Sequence, residues 1–259
     1  MRGMETVTSR DGTTIAFDRY GDGPPVVLVG GAFQHRWIDQ QTARLGELLA
    51  QAGLSALHYD RRGRGDSGDT PPYAVDRELE DIDALLEAAG GSAMLFGMSS
   101  GAALALRAAA TGRPVERVAV YEPPFRAGAD PETTAAVIAA AREGRRADAV
   151  RGFMRLTGMP DAMIDQVQQS PGWAGLEAVA PTLAYDLTIM GNGDVPVEVL
   201  AAVKVPVLAM DGGASPPWAG EAAAAVASGV ADGRRQTLPD QTHGVDPEVL
   251  APALIDFCR

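Results

Sequence analysis

The chain has 259 residues, of which 46% are hydrophobic and 22% are charged, and a formal net charge of −12 at pH 7. These values are typical of one globular domain with an insertion, and they exclude a collagen-like repeat or a disordered chain. The excess of acidic residues argues against nucleic acid and anionic membrane surfaces as partners.

Cysteine usage and apolar segments indicate the compartment. The single cysteine, Cys258, cannot form an internal disulfide, so folding does not depend on an oxidising environment. Residues 1–12 are polar and lack the apolar core of a signal peptide. Residues 92–110 are almost wholly apolar, but Gly97 and Gly101 interrupt them and favour a turn over a membrane span. We therefore expect a cytoplasmic protein.

The chain opens with a predicted β-hairpin. Residues 6–8 and 13–20 form its two strands around Asp11-Gly12, a strong turn signal. Residues 25–29 then form a short β-branched apolar run, which is typical of a parallel strand buried on both faces.

From there, predicted strands and helices alternate. The further strands lie at residues 55–59, 92–96, 115–121, 205–210 and 234–238. The helices lie at residues 37–51, 73–89, 100–111, 218–227 and 247–257. The alternation predicts an α/β fold with a mostly parallel eight-stranded sheet and helices on both faces. Ligands of such sheets bind beyond the carboxyl ends of the strands, so functional side chains are expected there.

One long segment interrupts the alternation. Short helices are predicted within it at residues 131–142, 147–157 and 162–168. Asp130-Pro131 is a typical helix start, with a capping residue followed by a first-turn proline. We interpret residues 123–196 as a helical lid inserted into a core formed by residues 1–122 and 197–259.

The segment Gly97-Met98-Ser99-Ser100-Gly101 follows a predicted buried strand and precedes a predicted helix. A nucleophile at such a turn adopts a strained backbone, and glycines on both sides allow strand and helix to approach closely. The helix N-terminus also favours the negative charge that develops there during acyl transfer. Ser99 is therefore the candidate nucleophile.

Over nearly its whole length the sequence resembles the α/β-hydrolase family. Residues 60–67 (Asp-Arg-Arg-Gly-Arg-Gly-Asp-Ser) are similar to the family's D-x-R-G-x-G-x-S loop, and residues 26–31 to its third strand and His-Gly oxyanion loop. The chain departs from the family at Gly30, where histidine is usual. The oxyanion donors are backbone N–H groups, so the resemblance still implies an oxyanion hole at Ala32 and Ser100.

Three histidines compete for the role of general base. His243 lies after the last strand and before the last helix, where the family carries its base. His58 lies within a predicted strand and is interpreted as a core or supporting residue. His35 follows the oxyanion loop and is interpreted as a loop residue, with lining of the pocket as the alternative. His243 is therefore the predicted base.

The third member of the triad stays open between two carboxylates. The family usually carries it beyond a glycine after the seventh strand, but Ser215 stands at about that position and cannot balance an imidazolium. Glu122 ends the sixth strand, where some relatives, including certain haloalkane dehalogenases, carry their acid. Asp211 ends the seventh strand. Both keep the chain order serine, acid, histidine; Glu122 is preferred and Asp211 is the alternative.

The resemblance implies a serine hydrolase that forms an acyl-enzyme. We expect Phe33, together with Met154 and Trp173 of the lid, to line an apolar substrate pocket. The sequence predicts hydrolysis of a small, largely apolar ester or lactone. No cofactor or metal is expected, because no phosphate-cradling glycine loop or paired-histidine spacing is present. The expected partner is a small-molecule substrate, on a monomer or a homodimer.

Two other hypotheses remain. The same fold could serve carbon–carbon bond hydrolysis, or a cyclisation or rearrangement in secondary metabolism with His243 as base. Little turnover of simple esters by an intact triad would indicate that chemistry. The chain could also be a ligand-binding receptor, which ligand-induced stabilisation without turnover would indicate.

Overall fold

The computed structural model describes residues 3–126 and 130–259, and the strands in these residues form one eight-stranded sheet. They are β1 (Glu5–Thr8), β2 (Thr14–Tyr20), β3 (Pro25–Val29), β4 (Ser55–Tyr59), β5 (Ala93–Met98), β6 (Val115–Tyr121), β7 (Val207–Gly212) and β8 (Gly233–Leu238). Their order in the sheet is β1-β2-β4-β3-β5-β6-β7-β8. β2 pairs antiparallel with β1 and β4, and the other pairs are parallel. The predicted fold class is confirmed.

The helices of the described residues alternate with these strands except between β6 and β7, where six helices follow one another. They are α1 (Gln40–Gln51), α2 (Val75–Ala88), α3 (Ser100–Ala110), α4 (Pro131–Arg142), α5 (Arg146–Leu156), α6 (Asp161–Gln168), α7 (Trp173–Val179), α8 (Leu183–Met190), α9 (Val197–Ala202), α10 (Pro217–Gly229) and α11 (Pro247–Cys258). A 3₁₀ turn at Ala180–Thr182 joins α7 to α8. In the residues described, no helix combines the length and the hydropathy that crossing a membrane requires.

Helix caps explain where two of the helices begin. Asp130 accepts hydrogen bonds from the first N–H groups of α4, and Pro131 is its first residue, as the sequence predicts. α1 begins at Gln40 rather than at the predicted residue 37, because the Asp39 side chain accepts the N–H of Thr42 at 3.0 Å. The short helices α7, α8 and α9 are not among the helices that the sequence predicts, since so few residues carry little periodic signal.

Helices cover both faces of the sheet. One face packs against α2, α3 and α10 through an apolar cluster that includes Leu79, Leu104 and Val226. The other face packs against α1 and α11 through a second cluster. In β3, Val27 joins the first cluster and Leu28 the second, which is why this strand is apolar throughout.

Helices α4–α8, called the inserted helices below, lie between β6 and β7 and have an apolar cluster of their own. Its buried members include Val150, Phe153 and Leu183. The loop after β3 contributes Phe33, whose ring lies edge-on to that of Phe153 with 5.4 Å between centroids. The inserted helices thus contact the carboxyl edge of the sheet, and their role as a lid stays a prediction.

Candidate active site

Ser99 lies at the sharp turn between β5 and α3. Its backbone has φ 53° and ψ −124°, a region that non-glycine residues rarely adopt. A Cβ at Gly97 would lie 2.4 Å from the Gly101 carbonyl oxygen, and a Cβ at Gly101 would lie 2.2 Å from that of Val29. Any larger residue at either position would push α3 away from the sheet. The two glycines therefore allow the strained turn that presents Ser99 at the carboxyl edge.

The loop after β3 passes close to this serine. A Cβ at Gly31 would lie only 3.0 Å from the Cβ of Ser99, so Ala32, the next residue, is also near the turn. Ser100 is the first residue of α3, where the backbone N–H has no acceptor within the helix. Among the residues described, no hydrogen bond uses the N–H of Ala32 or Ser100 as its donor. Both predicted oxyanion donors are thus unused.

Glu122 directly follows β6, is 1% exposed and has a positive φ of 46°. Its N–H donates to the carbonyl oxygen of Met210 on β7 at 2.9 Å. Its Oε2 lies 2.7 Å from Nδ1 of His243. Its Oε1 accepts the Gly212 N–H at 3.2 Å and also the hydroxyl of Ser215. Every oxygen of this buried carboxyl group therefore has a partner.

These partners decide the charge of Glu122. Burial raises the pKa of its carboxyl group, because a low dielectric disfavours the charged form. Hydrogen bonds from His243, Ser215 and the Gly212 N–H outweigh burial and bring that pKa below its ordinary value. At neutral pH, Glu122 is therefore a carboxylate that faces the imidazole.

His243 lies in the loop between β8 and α11, with 53% of its side chain exposed. Tyr121, the last residue of β6, holds this loop by donating its hydroxyl to the carbonyl oxygen of Thr242 at 2.6 Å. The carbonyl oxygen of Tyr121 accepts the N–H of Ser99 at 3.0 Å. One residue thus links the serine turn to the histidine loop. With Nδ1 bound to Glu122, Nε2 is the nitrogen that can accept a proton.

Asp211, the alternative acid, is directed to other partners. It is 3% exposed, and its Oδ1 accepts from Nε of Arg235 at 3.0 Å. The Thr237 hydroxyl lies 3.1 Å from its other oxygen. Arg235 and Thr237 are two residues apart on β8, so their side chains lie on the same face of that strand. The geometry therefore brings Glu122, and not Asp211, to His243.

The other two histidines have no hydrogen bond to Ser99 or Glu122 in the described residues. His58 lies in β4 and is 2% exposed, and His35 lies in the turn that precedes α1. In the part of the chain that the structure describes, neither Nδ1 atom has a hydrogen-bond partner. Burial lowers the pKa of both imidazoles. Both are therefore neutral at pH 7, in keeping with a core residue and a loop residue.

The three predicted pocket residues pack into the apolar cluster of the inserted helices. Met154 is buried in it, and Phe33 and Trp173 lie against it half-buried. Phe33 is next to Ala32 and has a positive φ of 65°, and its ring lies against that of Phe153. Of the three, Phe33 is the one placed next to a predicted oxyanion donor. Contact of any of them with a substrate stays a prediction.

Two residues of the arrangement have no assigned role in the sequence prediction. Ser215 supplies a hydrogen bond to Glu122, although its sequence position suggested only a missing acid. Tyr121 joins the serine turn to the histidine loop. A tyrosine directly after the apolar run Val118–Val120 was the available signal, because a buried phenol requires a hydrogen-bond partner.

The described residues hold no group of three or more His, Cys, Asp or Glu side chains that could bind a metal ion. The site instead combines a serine on a strained turn, two unused backbone donors, and an imidazole bound to a buried carboxylate. These are the parts that acyl transfer through a serine nucleophile requires.

Comparison with known proteins agrees with this geometry. Residues 26–253 match the model of the alpha/beta hydrolase family. No curated protein sequence matches the chain. Among solved structures, an alpha/beta hydrolase from Sphaerobacter thermophilus is 49% identical, with a TM-score of 0.90. The match covers 98% of this chain and 100% of that one.

Two more distant structures share the fold. A thermophilic esterase from Thermogutta terrifontis is 22% identical, with 100% of this chain and 98% of that one covered and a TM-score of 0.75. A bromoperoxidase from Bacillus anthracis is 19% identical, with 99% of each chain covered and a TM-score of 0.71. The family match extends over most of the sequence, so the chain belongs to the alpha/beta hydrolase family.

Proposed function

We propose that the protein is a serine hydrolase that cleaves a small, largely apolar ester or lactone. Ser99 is the nucleophile, His243 the general base and Glu122 the orienting acid. The observation that carries the proposal is the 2.7 Å contact between the buried carboxylate of Glu122 and Nδ1 of His243. Tyr121 supports the proposal, because it is hydrogen-bonded both to the Ser99 N–H and to the loop that carries His243. The esterase from Thermogutta terrifontis supports the type of reaction by fold alone.

The reaction proceeds in two halves. In the first, Nε2 of His243 accepts the Oγ proton of Ser99 as Oγ attacks the carbonyl carbon. The tetrahedral intermediate collapses, and the leaving alcohol takes the proton from the imidazolium. In the second half, a water gives a proton to His243 and attacks the acyl carbon, and Ser99 leaves reprotonated with release of the acid. Glu122 stabilises the imidazolium in both halves without itself becoming protonated.

The oxyanion of each intermediate is bound by backbone donors. The N–H groups of Ala32 and Ser100 are unused in the described residues and lie on the two segments that meet at Ser99. Each such donor contributes on the order of 3 kcal/mol to transition-state stabilisation. The missing family histidine at position 30 does not affect them, because the donors are main-chain groups.

The chemistry of the surroundings supports the substrate class. Two residues of the oxyanion loop, Ala32 and Phe33, pack against the apolar cluster of the inserted helices. An apolar acyl or alkoxy group is favoured there, since a charged one would be desolvated without a partner. The proposal includes no cofactor, a cytoplasmic location, and a monomer or homodimer.

The test is turnover of a panel of p-nitrophenyl esters and aliphatic lactones by the wild type and by Ser99→Ala. We expect saturable hydrolysis, highest for uncharged short to medium acyl chains and absent from the variant. Intact mass after exposure to a fluorophosphonate should show one adduct on the wild type and none on Ser99→Ala. Adduct formation without ester or lactone turnover would contradict the proposed substrate class, and no adduct would contradict the proposed nucleophile.

A further inference from the structure

Four buried charged side chains lie directly behind the proposed oxyanion hole. Arg61 and Arg64 come from the loop after β4, Glu78 from α2, and Asp186 from α8 of the inserted helices. Each is at most 2% exposed. Two cations and two anions balance one another, so the cluster, called the arginine cluster below, carries no net charge.

Arg64 connects the inserted helices to the oxyanion loop. Its Nη2 donates to Oδ2 of Asp186 at 2.6 Å, and its Nε donates to the Thr182 hydroxyl at 3.0 Å. Its Nη1 donates to the carbonyl oxygen of Gly31 at 2.6 Å. The guanidinium therefore has one nitrogen on the oxyanion loop and two on the inserted helices.

The bond to Gly31 bears directly on the first oxyanion donor. The carbonyl of Gly31 and the N–H of Ala32 belong to one planar peptide unit, so holding the oxygen also sets the direction of the N–H. A charged donor on the oxygen polarises the peptide and makes its N–H a stronger donor. Arg64 thus acts on the Ala32 N–H from the opposite end of the same peptide.

Asp186 holds the segment that carries the second oxyanion donor, the N–H of Ser100. Its Oδ1 accepts the hydroxyl of Ser100 at 2.6 Å and Nη1 of Arg61 at 2.7 Å. Arg61 is held in turn by two 2.7 Å bonds to Glu78. Because Ser100 is the first residue of α3, anchoring its side chain fixes the start of the helix and the direction of its N–H.

Asp186 keeps its negative charge despite burial. Burial raises the pKa of Asp186, but the charges of Arg64 and Arg61 and the bond from Ser100 bring that pKa below its ordinary value. Ionised Asp186 accepts from three side chains at once, Ser100, Arg61 and Arg64. No neutral side chain of similar size offers the same set of bonds.

A third arginine of the same loop serves as an internal comparison. In the loop pattern D-x-R-G-x-G-x-S, Arg61 and Arg64 occupy variable positions and Arg62 occupies the arginine position. Arg62 is 1% exposed and makes two bonds to Asp81, with 2.8 Å and 2.7 Å between the atoms. Its remaining bonds go to Asp11, Ser9 and the Arg77 carbonyl oxygen, all remote from the oxyanion loop.

We propose that Arg64 and Asp186 are positioning residues that orient the two oxyanion donors, Arg64 through Gly31 and Asp186 through Ser100. Formation of the oxyanion hole therefore depends on the packing of the inserted helices against the sheet. The proposal rests on the proposed function, since it assigns a role within that active site. It implies that displacement of α8 from the sheet disorganises the hole even when Ser99, His243 and Glu122 keep their contacts.

The test compares Arg64→Met with Arg62→Met, using a p-nitrophenyl ester and its thiono analogue. Both variants lose a buried arginine from one loop, but only Arg64→Met loses the bond to Gly31. We expect kcat of Arg64→Met to fall about 10- to 100-fold with KM within about threefold, because a misdirected donor weakens binding of the transition state only. Arg62→Met is expected to lose thermal stability. Its kcat, calculated from the concentration of active sites that a fluorophosphonate titrates, should stay within about twofold of wild type.

The thiono ester separates an oxyanion effect from general damage. Sulfur accepts hydrogen bonds more weakly than oxygen, so a well-aligned hole discriminates strongly between the two esters. We expect the ratio of oxo-ester to thiono-ester turnover to fall in Arg64→Met and to stay unchanged in Arg62→Met. Arg64→Lys, which keeps the charge but cannot reach Gly31, Thr182 and Asp186 together, should lie between wild type and Arg64→Met. It also provides a folded variant if Arg64→Met does not fold.

Hydrogen exchange gives a measurement that does not depend on turnover. The amides of Gly31 and Gln34, which are hydrogen-bonded within the oxyanion loop, should exchange at least tenfold faster in Arg64→Lys than in wild type. Faster exchange in a protein without esterase activity would support the positioning role and reject the proposed function. Unchanged exchange, or an unchanged ester ratio in an active enzyme, would overturn the positioning role.

Discussion

The carboxyl ends of β6 and β7 carry two acidic residues in nearly the same setting. Tyr121 on β6 pairs with Met210 on β7, so Glu122 and Asp211, the residues that follow, lie side by side. Their exposed fractions are 1% and 3%. Glu122 follows β6 with a positive φ, whereas Asp211 lies within β7. Their partners differ as well, and the difference in partners assigns one carboxylate to the site and the other to the framework.

The partners have different chemistry. Asp211 is bound to an arginine, a permanent cation that already neutralises it. Glu122 is bound to two neutral donors and to an imidazole whose charge can change during a reaction. A carboxylate stabilises a developing imidazolium only when its charge is not already compensated. Both acids lie at strand ends, so position alone does not identify the orienting acid. The partner of each carboxylate decides which of the two can stabilise the imidazolium.

The largest effect is expected from Glu122→Gln. The amide keeps the size of the side chain but removes the charge, and it favours the wrong imidazole tautomer. By analogy with other serine triads, kcat should fall about 10³- to 10⁴-fold while KM changes little. Steady-state kinetics on the best ester of the panel measures this. A loss below about tenfold would contradict the role of Glu122.

A relocated acid should recover part of this loss. Ser215 touches the carboxylate of Glu122, so an aspartate at 215 can approach the same imidazole from the neighbouring loop. We expect Glu122→Gln with Ser215→Asp to regain about 10- to 100-fold in kcat over Glu122→Gln alone. Ser215→Asn in the same background is the control, because it adds the same bulk without a charge. Equal rates of the two double variants would show that no carboxylate can act from position 215.

A smaller effect is expected from Ser215→Ala. It removes one of the bonds that lower the pKa of Glu122, so that pKa should rise. A carboxyl group with a lowered folded-state pKa stabilises the protein above its unfolded pKa, and this stabilisation is lost as pH falls through the folded pKa. The acid-unfolding midpoint of Ser215→Ala should therefore lie at higher pH than that of wild type, with kcat at pH 7 reduced by about three- to tenfold.

An acid titration followed by circular dichroism, beside kcat at pH 7, checks this prediction. Ser215→Thr, which keeps a hydroxyl, serves as the matched variant and should stay near wild type. A midpoint that moves to lower pH in Ser215→Ala would show that the hydroxyl does not favour the charged form of Glu122.

The smallest effect on turnover is expected from Asp211→Asn. The substitution breaks the ion pair with Arg235 but leaves His243 and its carboxylate untouched. We expect kcat within about threefold of wild type and a loss of about 1–2 kcal/mol in unfolding free energy, because Arg235 is partly exposed. Urea denaturation and ester kinetics measure the two quantities. A large loss of kcat with little loss of stability would reverse the assignment of the two acids.

Much of the framework follows from local sequence. The alternation of apolar strands with amphipathic helices predicts the parallel sheet, and Gly97 and Gly101 predict the serine turn because only glycine fits there. The sequence favoured Glu122 over Asp211 as the acid but did not decide between them. The choice depends on the register of β8, where Thr237 pairs with Asp211 and brings Arg235 onto the same face. Such pairing between distant segments leaves no local signal.

The arginine cluster was also beyond prediction. Arginine is usually exposed, so a loop with three arginines indicates a solvated surface. All three are buried here because acidic residues from α2 and from the inserted helices meet them. Asp186 lies 122 residues after Arg64, and the packing of α8 against α3 and its neighbours brings it to the arginines.

The most direct test of the account is the rate at which a fluorophosphonate labels Ser99 in wild type, Glu122→Gln and Asp211→Asn, followed by intact-protein mass. Labelling reports activation of the serine without knowledge of the natural substrate. We expect labelling of Asp211→Asn within about threefold of wild type and labelling of Glu122→Gln at least about 100-fold slower, because Glu122 and not Asp211 orients His243. Equal rates in the two variants, or slow labelling of Asp211→Asn alone, would contradict that role of Glu122.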